Sequence, residues 1–294
     1  MITIAIIGIG KWGKNLLSEF SKICKIKYCY SKGSKSNILW LSKNHPKINF
    51  CNNLQVILDD PLIDAVIIAT PIKTHYNLVI KSLKSKKHVF VEKPISTTVK
   101  EGNNLLKIAK NNNLTLFVGN IFLYHPIFIK LKKILQKEKI QSLYFDWEKF
   151  GAFNEELSFD VLIHYIIIVN EFLGNPKKVS VHKKIGIITN CDIISLQMEF
   201  KKNISCFMHI IRASSTKKRT IIIKTSKNLY YWENETLLKL SKKNYSFKKI
   251  FATKITPLEN ECKEFLKHVK SSKKNYLDVQ KSINSISIIN KYIN

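Results

Sequence analysis

At 294 residues the chain exceeds one average domain, so two are expected, and 45% hydrophobic content is enough for packed cores. The longest apolar stretch, Val161 to Val169, is too short to span a bilayer and contains His164, which argues against a membrane protein. The net charge of +28 invites a nucleic-acid reading, but of 49 basic residues only Arg212 and Arg219 are arginine and the lysines run through every segment, which argues against a specific nucleic-acid partner.

The excess charge is still expected to attract anionic substrates. The N-terminus lacks a basic region and a cleavage site, so no signal peptide is read. Six cysteines occur without a Cys-x-x-Cys pair and are expected reduced, in a cytoplasmic protein.

Ile2 to Ile7 reads as a buried parallel strand running into Gly8-Ile9-Gly10-Lys11-Trp12-Gly13. Leu16, Leu17, Phe20 and Ile23 then keep a helical stripe. Strand, glycine turn and helix in that order form the dinucleotide fingerprint. Gly8 permits the tight turn, Gly10 admits the pyrophosphate and Gly13 lets helix and strand pack closely. Lys11 and Trp12 lie in the same cradle, at a helix N-terminus suited to phosphate.

A second strand, Ile26 to Tyr30, should end at an acid that holds the ribose. The chain instead reads Ser31-Lys32-Gly33-Ser34-Lys35, and a hydroxyl beside lysines suits a 2′-phosphate. The cofactor is thus expected to be NADP or NAD, with a lean toward NADP. Asp64 to Ala69 is the next strand; Thr70 and Pro71 end it and are expected to wall the nicotinamide. His75 opens a helix to about Leu83, where it suits a structural role near the cofactor.

His88 to Val91 reads as a buried strand that stops at Glu92-Lys93-Pro94, because proline cannot extend the ladder. Glu92 and Lys93 therefore stand at a strand's carboxyl end, where ligands sit in open α/β sheets. Alone, the pair reads equally as solvated charges before a turn. A helix at Val99 to Asn111 and a strand at Thr115 to Val118 complete a doubly wound parallel sheet of Rossmann type.

The succession of G-x-G-x-x-G, Ala69-Thr70-Pro71-x-x-x-His75, Val91-Glu92-Lys93-Pro94 and Gly119-Asn120-Ile121-Phe122-Leu123-Tyr124-His125-Pro126 resembles the Gfo/Idh/MocA oxidoreductase family, over most of the chain. The resemblance extends to the helix Pro257-Leu258-x-x-Glu261-x-x-x-Phe265. It implies a nicotinamide cofactor, a lysine at the hydride-transfer site, here Lys93, and a cis bond before Pro94. Asn120 and Tyr124 fall where substrate contacts are expected.

A helix follows Pro126 to Leu135, then a strand, Ile140 to Phe150, and a polar loop, Gly151 to Glu156. Leu157 to Leu173 reads as a helix ended by Gly174 and Pro176, on which Asp160 and His164 share a face. Such a pair is routinely a surface contact. The family resemblance gives it a catalytic role, because similar proteins carry Asp-x-x-x-His facing the nicotinamide.

Alternating patterns at Val179 to Ile185, Ile193 to Phe200, Ile204 to Ile211, Thr220 to Thr225 and Leu229 to Trp232, with turns at Asn203 and Asn228, imply a largely antiparallel sheet. Two helices, Leu258 to Val269 and Val279 to Ile293, close the chain. The expected fold is α/β: residues 1–119 as a dinucleotide-binding Rossmann domain, then residues 120–294 as an α+β substrate and oligomerisation domain with an open sheet. The last helices are expected to pack back on the first domain.

The implied function is hydride transfer between nicotinamide and a secondary alcohol of a sugar, extending to nucleotide-linked sugars. His164 is the expected base, oriented by Asp160, and Lys93 bonds the reacting oxygen; their roles can be exchanged. Family members often carry an arginine near Ile121 and Phe122 and an acid at the position of Ile167, and their loss leaves the substrate open. The alternatives are a cofactor-sensing regulator without activity and a biliverdin-reductase-like enzyme. No metal is expected, and homodimers or homotetramers are.

Overall fold

A computed structural model of the chain describes residues 1–32, 34–151, 153–241 and 243–293. Gly33, in the loop expected near the ribose, lies outside the described residues. The chain divides into two compact units, residues 1–121 with 258–286 and residues 122–257 with 287–294.

The first unit is a six-stranded parallel sheet built from β1 (Thr3–Ile7), β2 (Lys25–Tyr30), β3 (Asn49–Cys51), β4 (Ala65–Ile68), β5 (His88–Glu92) and β6 (Leu116–Gly119). Its order, β3-β2-β1-β4-β5-β6, reverses between β1 and β4. That reversal is the switch point at which such sheets open a crevice beyond their strand ends.

Helices α1 (Lys11–Phe20), α2 (Lys35–Asn44), α3 (Leu54–Asp59), α4 (His75–Lys84) and α5 (Val99–Asn111) make the crossovers. The expected strands and helices fall within a residue or two of these bounds. Residues 35–59, where α2, β3 and α3 lie, show no clear period: α2 buries Leu41 alone, and β3 is three residues long.

Central strands bury both faces, and Ile4, Ile6, Val66, Ile67, Phe90 and Val91 are wholly enclosed. Phe265, on α8 (Pro257–Lys270), completes an aromatic knot with Phe20, Phe90 and Phe117, with centroids 5.4–6.0 Å apart. Edge-to-face contacts of this kind favour one packing among many.

The second unit is an eight-stranded sheet ordered β14-β13-β12-β11-β7-β10-β9-β8. Its strands are β7 (Ile140–Phe150), β8 (Lys178–Ile185), β9 (Ile193–Glu199), β10 (Ser205–Ile211), β11 (Ala213–Thr225), β12 (Leu229–Glu233), β13 (Thr236–Ser241) and β14 (Ser246–Ala252). Neighbours run antiparallel except β10 beside β7. The last two strands escape a reading by alternation because most of their residues are only partly buried.

Strict alternation in β9 buries Ile194, Leu196 and Met198 on one face. Over that face lie α6 (Pro126–Leu135) and α7 (Ile163–Leu173), with Tyr165 against Phe145 at 5.4 Å. The other face leaves Tyr144, Phe207 and Phe247 exposed. Both outermost strands carry lysines, Lys248 and Lys249 on β14 and Lys183 and Lys184 on β8, a guard against stray edge pairing. Part of the lysine excess thus has a structural use.

Glu261 on α8 is wholly buried, and neither carboxylate oxygen meets a hydrogen-bond partner among the described residues. Burial pushes its carboxyl well above the ordinary 4.5, and the charges of Glu92 and Asp278 push the same way. Such a group binds more protons folded than unfolded, so stability is highest below that ordinary value and falls as pH rises past it. Glu261→Gln is expected to melt a few °C above the wild type at pH 8, with the gap closing near the ordinary carboxylate value, as thermal melts across that range would read.

Candidate functional site

The first unit builds a cradle at its switch point. Gly8 has φ +100°, and a side chain there would meet the Ala69 carbonyl oxygen at 2.4 Å and the Thr70 methyl at 2.8 Å. A side chain at Gly13 would strike the Gly8 carbonyl oxygen at 2.0 Å. Gly10, at the head of α1, faces open space instead. The first backbone donor used inside the helix is Lys14, bonded to the Gly10 carbonyl at 3.0 Å. The N–H groups before it and the positive end of the helix therefore point outward, and no acid stands in the first turn to compete. A dinucleotide pyrophosphate fits this cradle on both shape and charge.

The strand ends beside it are tied together. His75 is buried at 1% exposure, with Nδ1 2.7 Å from the Pro94 carbonyl oxygen and Nε2 2.8 Å from that of Thr70. A neutral ring donates to one of the two at a time. The imidazole thus staples the end of β4 to the turn after β5, and Thr70 also bonds the Thr74 hydroxyl at 2.7 Å. The Lys93–Pro94 peptide is cis, as the resemblance implied.

Trp12 donates its indole N–H to Glu92 Oε1 at 2.5 Å, which joins the glycine loop to the residue before Lys93. Burial pushes the Glu92 carboxyl up to about 7, against the pull of the Trp12 bond and the Lys93 charge. Lys93 itself is half-buried. Ser31 is half-buried and Lys32 exposed just beyond β2, with no acid between residues 31 and 35.

Asn120 follows β6 directly and is 2% exposed, yet neither its amide oxygen nor its amide nitrogen has a hydrogen-bond partner among the described residues. An amide left unpaired at that depth costs about 1–3 kcal/mol and calls for an external partner.

In the second unit the helix expected from Leu157 begins differently. Ser158–Leu162 forms a π-helical turn before α7 starts at Ile163. Single π turns of this kind often accompany functional sites. From Leu157 to Val169 every residue is buried except Asp160 and His164, which are half-exposed. The wider turn leaves that pair as the polar opening of an otherwise apolar helix.

The His164 ring meets the edge of Phe122 at 5.1 Å, and Tyr124 is half-buried in the same short helical turn. A cavity of about 400 Å³ in this unit lies against Phe153, Glu155, Cys191 and Arg212 and reaches Leu157 and Ser158 at the start of the π turn, while Asp160 and His164 are not among its lining residues. Among the described residues no group of three side chains could hold a metal, and no helix is long and apolar enough to cross a membrane.

Sheet order and glycine cradle define a Rossmann-type unit in a chain whose second unit carries a mostly antiparallel sheet. Residues 2–120, less than half of the chain, match the family model described as the oxidoreductase family with NAD-binding Rossmann fold. Over 140 residues it is 31% identical to the uncharacterized oxidoreductase YrbE of Bacillus subtilis, covering 47% of this chain and 41% of that one.

It is 26% identical to two scyllo-inositol 2-dehydrogenases of the same organism. The NADP(+) protein IolW aligns over 48% of this chain and 39% of its own, and the NAD(+) protein over 47% and 41%. The chain thus aligns with less than half the length of each of these relatives. The fold of UDP-N-acetylglucosamine 3-dehydrogenase GnnA from Acidithiobacillus ferrooxidans superposes with TM-score 0.89 over 99% of this chain and 96% of that one, at 17% identity.

Replacement of His75 by alanine removes the staple between Thr70 and Pro94. Loss of a buried hydrogen bond with its cavity is worth about 1–3 kcal/mol. His75→Ala is therefore expected to weaken dinucleotide binding by about tenfold or more and to lower the melting temperature, read by cofactor fluorescence titration and a thermal melt.

Proposed function

We propose that the chain is a nicotinamide-dependent oxidoreductase that acts on a secondary alcohol of a sugar or nucleotide-linked sugar. The observation that carries this is the pair Asp160 and His164, left half-exposed on a helix that buries every other residue from Leu157 to Val169. An acid and an imidazole at such a place suit proton transfer. The activities named for the similar proteins, scyllo-inositol 2-dehydrogenase and UDP-N-acetylglucosamine 3-dehydrogenase, point the same way.

When bound, the nicotinamide supplies the hydride acceptor or donor. Gly8, Gly10, Lys11, Trp12 and Gly13 hold the pyrophosphate, while Thr70, Pro71 and the turn held by His75 shape the nicotinamide's bed. Lys93 donates a hydrogen bond to the reacting oxygen. His164 Nε2 or Nδ1 takes the hydroxyl proton, and Asp160 holds the ring's orientation. Asn120, with both amide groups unspent, and Tyr124 bond substrate or nicotinamide oxygens. The uncovered aromatic face of the large sheet, at Tyr144 and Phe207, pairs chains into dimers or tetramers.

Lys93→Met is expected to abolish turnover while cofactor binding stays measurable, and His164→Ala to cost about 10²–10⁴-fold in kcat. Full activity in Lys93→Met, in an assay of nicotinamide absorbance over a sugar panel, would remove the lysine from its role.

The lack of a carboxylate from Ser31 to Lys35 supports NADP as the preferred cofactor. The ratio of kcat/KM for the two cofactors is expected to favour NADP by about tenfold, the worth of one or two charge-assisted hydrogen bonds; a clear preference for NAD overturns it.

A further inference from the structure

In a chain that answers nearly every need for positive charge with lysine, its two arginines mark places where lysine does not serve. One is accounted for. Arg212 is 1% exposed and spends its donors on Asp192 Oδ1 at 2.9 Å and on the carbonyls of Glu155 and Cys191.

The other is Arg219 on β11. Its register partner is Trp147, and it shares the helix-covered face of the sheet with Ile221 and Ile223. That face is otherwise apolar, so a guanidinium there needs a reason. Its Cζ lies over the ring of Phe122, 5.3 Å from the centroid, and the same ring makes a T-shaped contact with His164. One nitrogen, Nη2, donates to the Asn234 carbonyl at 3.1 Å and to Glu235 Oε1 at 3.3 Å. Nε and Nη1 donate to nothing among the described residues, although the side chain is only 24% exposed. A guanidinium has five N–H donors, so three stay unspent on a group that shares Phe122 with the imidazole.

Glu235 does not cancel this cation. It is 54% exposed and also lies 3.0 Å from His125 Nε2. Burial, and then the Arg219 charge, push His125 down to about 4 against the pull of Glu235, so it is neutral near pH 7. The site therefore holds a solvated carboxylate on one side of the guanidinium and unspent donors on the other.

We propose that Arg219 is the substrate-anion residue of this chain, and that the sugar it takes carries a carboxylate or phosphoryl oxygen one aromatic ring away from the alcohol facing His164. The assignment deepens the sugar-oxidoreductase reading and rests on it for the identity of the reacting alcohol. A planar fork clamped on Phe122 bonds an anion in two places with little entropy left to lose, which a lysine on the same strand does not offer.

The test compares four probes, UDP-glucose, glucuronate, glucose and myo-inositol, on the full chain, as wild type, Arg219→Gln, Arg219→Lys and Glu235→Gln. Binding is read by quenching of tryptophan fluorescence and turnover by nicotinamide absorbance. At least one anionic probe is expected to bind the wild type more tightly than both neutral ones. Arg219→Gln is expected to raise its Kd and KM about 10–100-fold, with kcat and neutral-probe binding little changed.

Arg219→Lys should recover part of the loss, and Glu235→Gln should bind the anion as well as the wild type or better. A preference for UDP-glucose assigns the phosphoryl source and one for glucuronate the carboxylate source. Equal losses for neutral and anionic probes, or a loss in Glu235→Gln matching that in Arg219→Gln, makes the arginine a structural partner and overturns the proposal, as does a wild type that binds neither anionic probe. Anion binding that depends on Arg219 without any turnover leaves the assignment standing and sinks the oxidoreductase reading instead.

Discussion

Contact between Gly8, Gly13 and the end of β4 is the constraint on which the first unit's chemistry depends. Backbone meets backbone there with no room for a side chain, at 2.0 Å for a Cβ on Gly13 and 2.4 Å for one on Gly8. That closeness sets the head of α1 directly over the carboxyl ends of β1 and β4, where the strand order reverses. Everything downstream hangs on those ends. His75 ties Thr70 to Pro94, and Trp12 ties the glycine loop to Glu92. Lys93 is thus held from both sides by short bonds that a shift of the loop by an ångström would break.

Much of this was legible in the residues. Glycine spacing after an apolar strand, and proline ending another, report backbone conformation directly, because few residue types tolerate those positions. The long strands and helices were legible for the same kind of reason: burial imposes a period on them. Residues 35–59 and the strands β13 and β14 were not, since short elements that bury one or two side chains leave no period to read.

Side-chain pairings across long separations were equally hidden. Nothing in the chain says that Trp12 will meet Glu92, or that Arg219 will lie on Phe122. The rarity of arginine was the one available signal for the latter. The π turn at Ser158–Leu162 was also invisible, because its residues are as apolar as those of an ordinary helix start and only hydrogen-bond register tells them apart.

Buried polar groups in this chain fall into two kinds, and the difference separates scaffold from site. Asp192, wholly buried, accepts from the backbone N–H of Ile187, Ile188 and Thr189 and from Arg212 Nε. Each partner is supplied by the protein, so the group fixes a loop and asks for nothing else. Asn120 is as deep but receives no partner for either end of its amide.

Lack of a partner alone does not mark a site, for Glu261 also lacks one, and there the proton raised by burial answers the need by neutralising the charge. An amide has no such escape, since it cannot titrate. Its hydrogen-bonding capacity stays open at every pH, at the carboxyl end of β6, where sheets of this order receive their ligands. Asn170 on α7 also has both ends of its amide unpartnered among the described residues, so it is position at a strand's carboxyl end, and not the unpaired amide alone, that distinguishes Asn120.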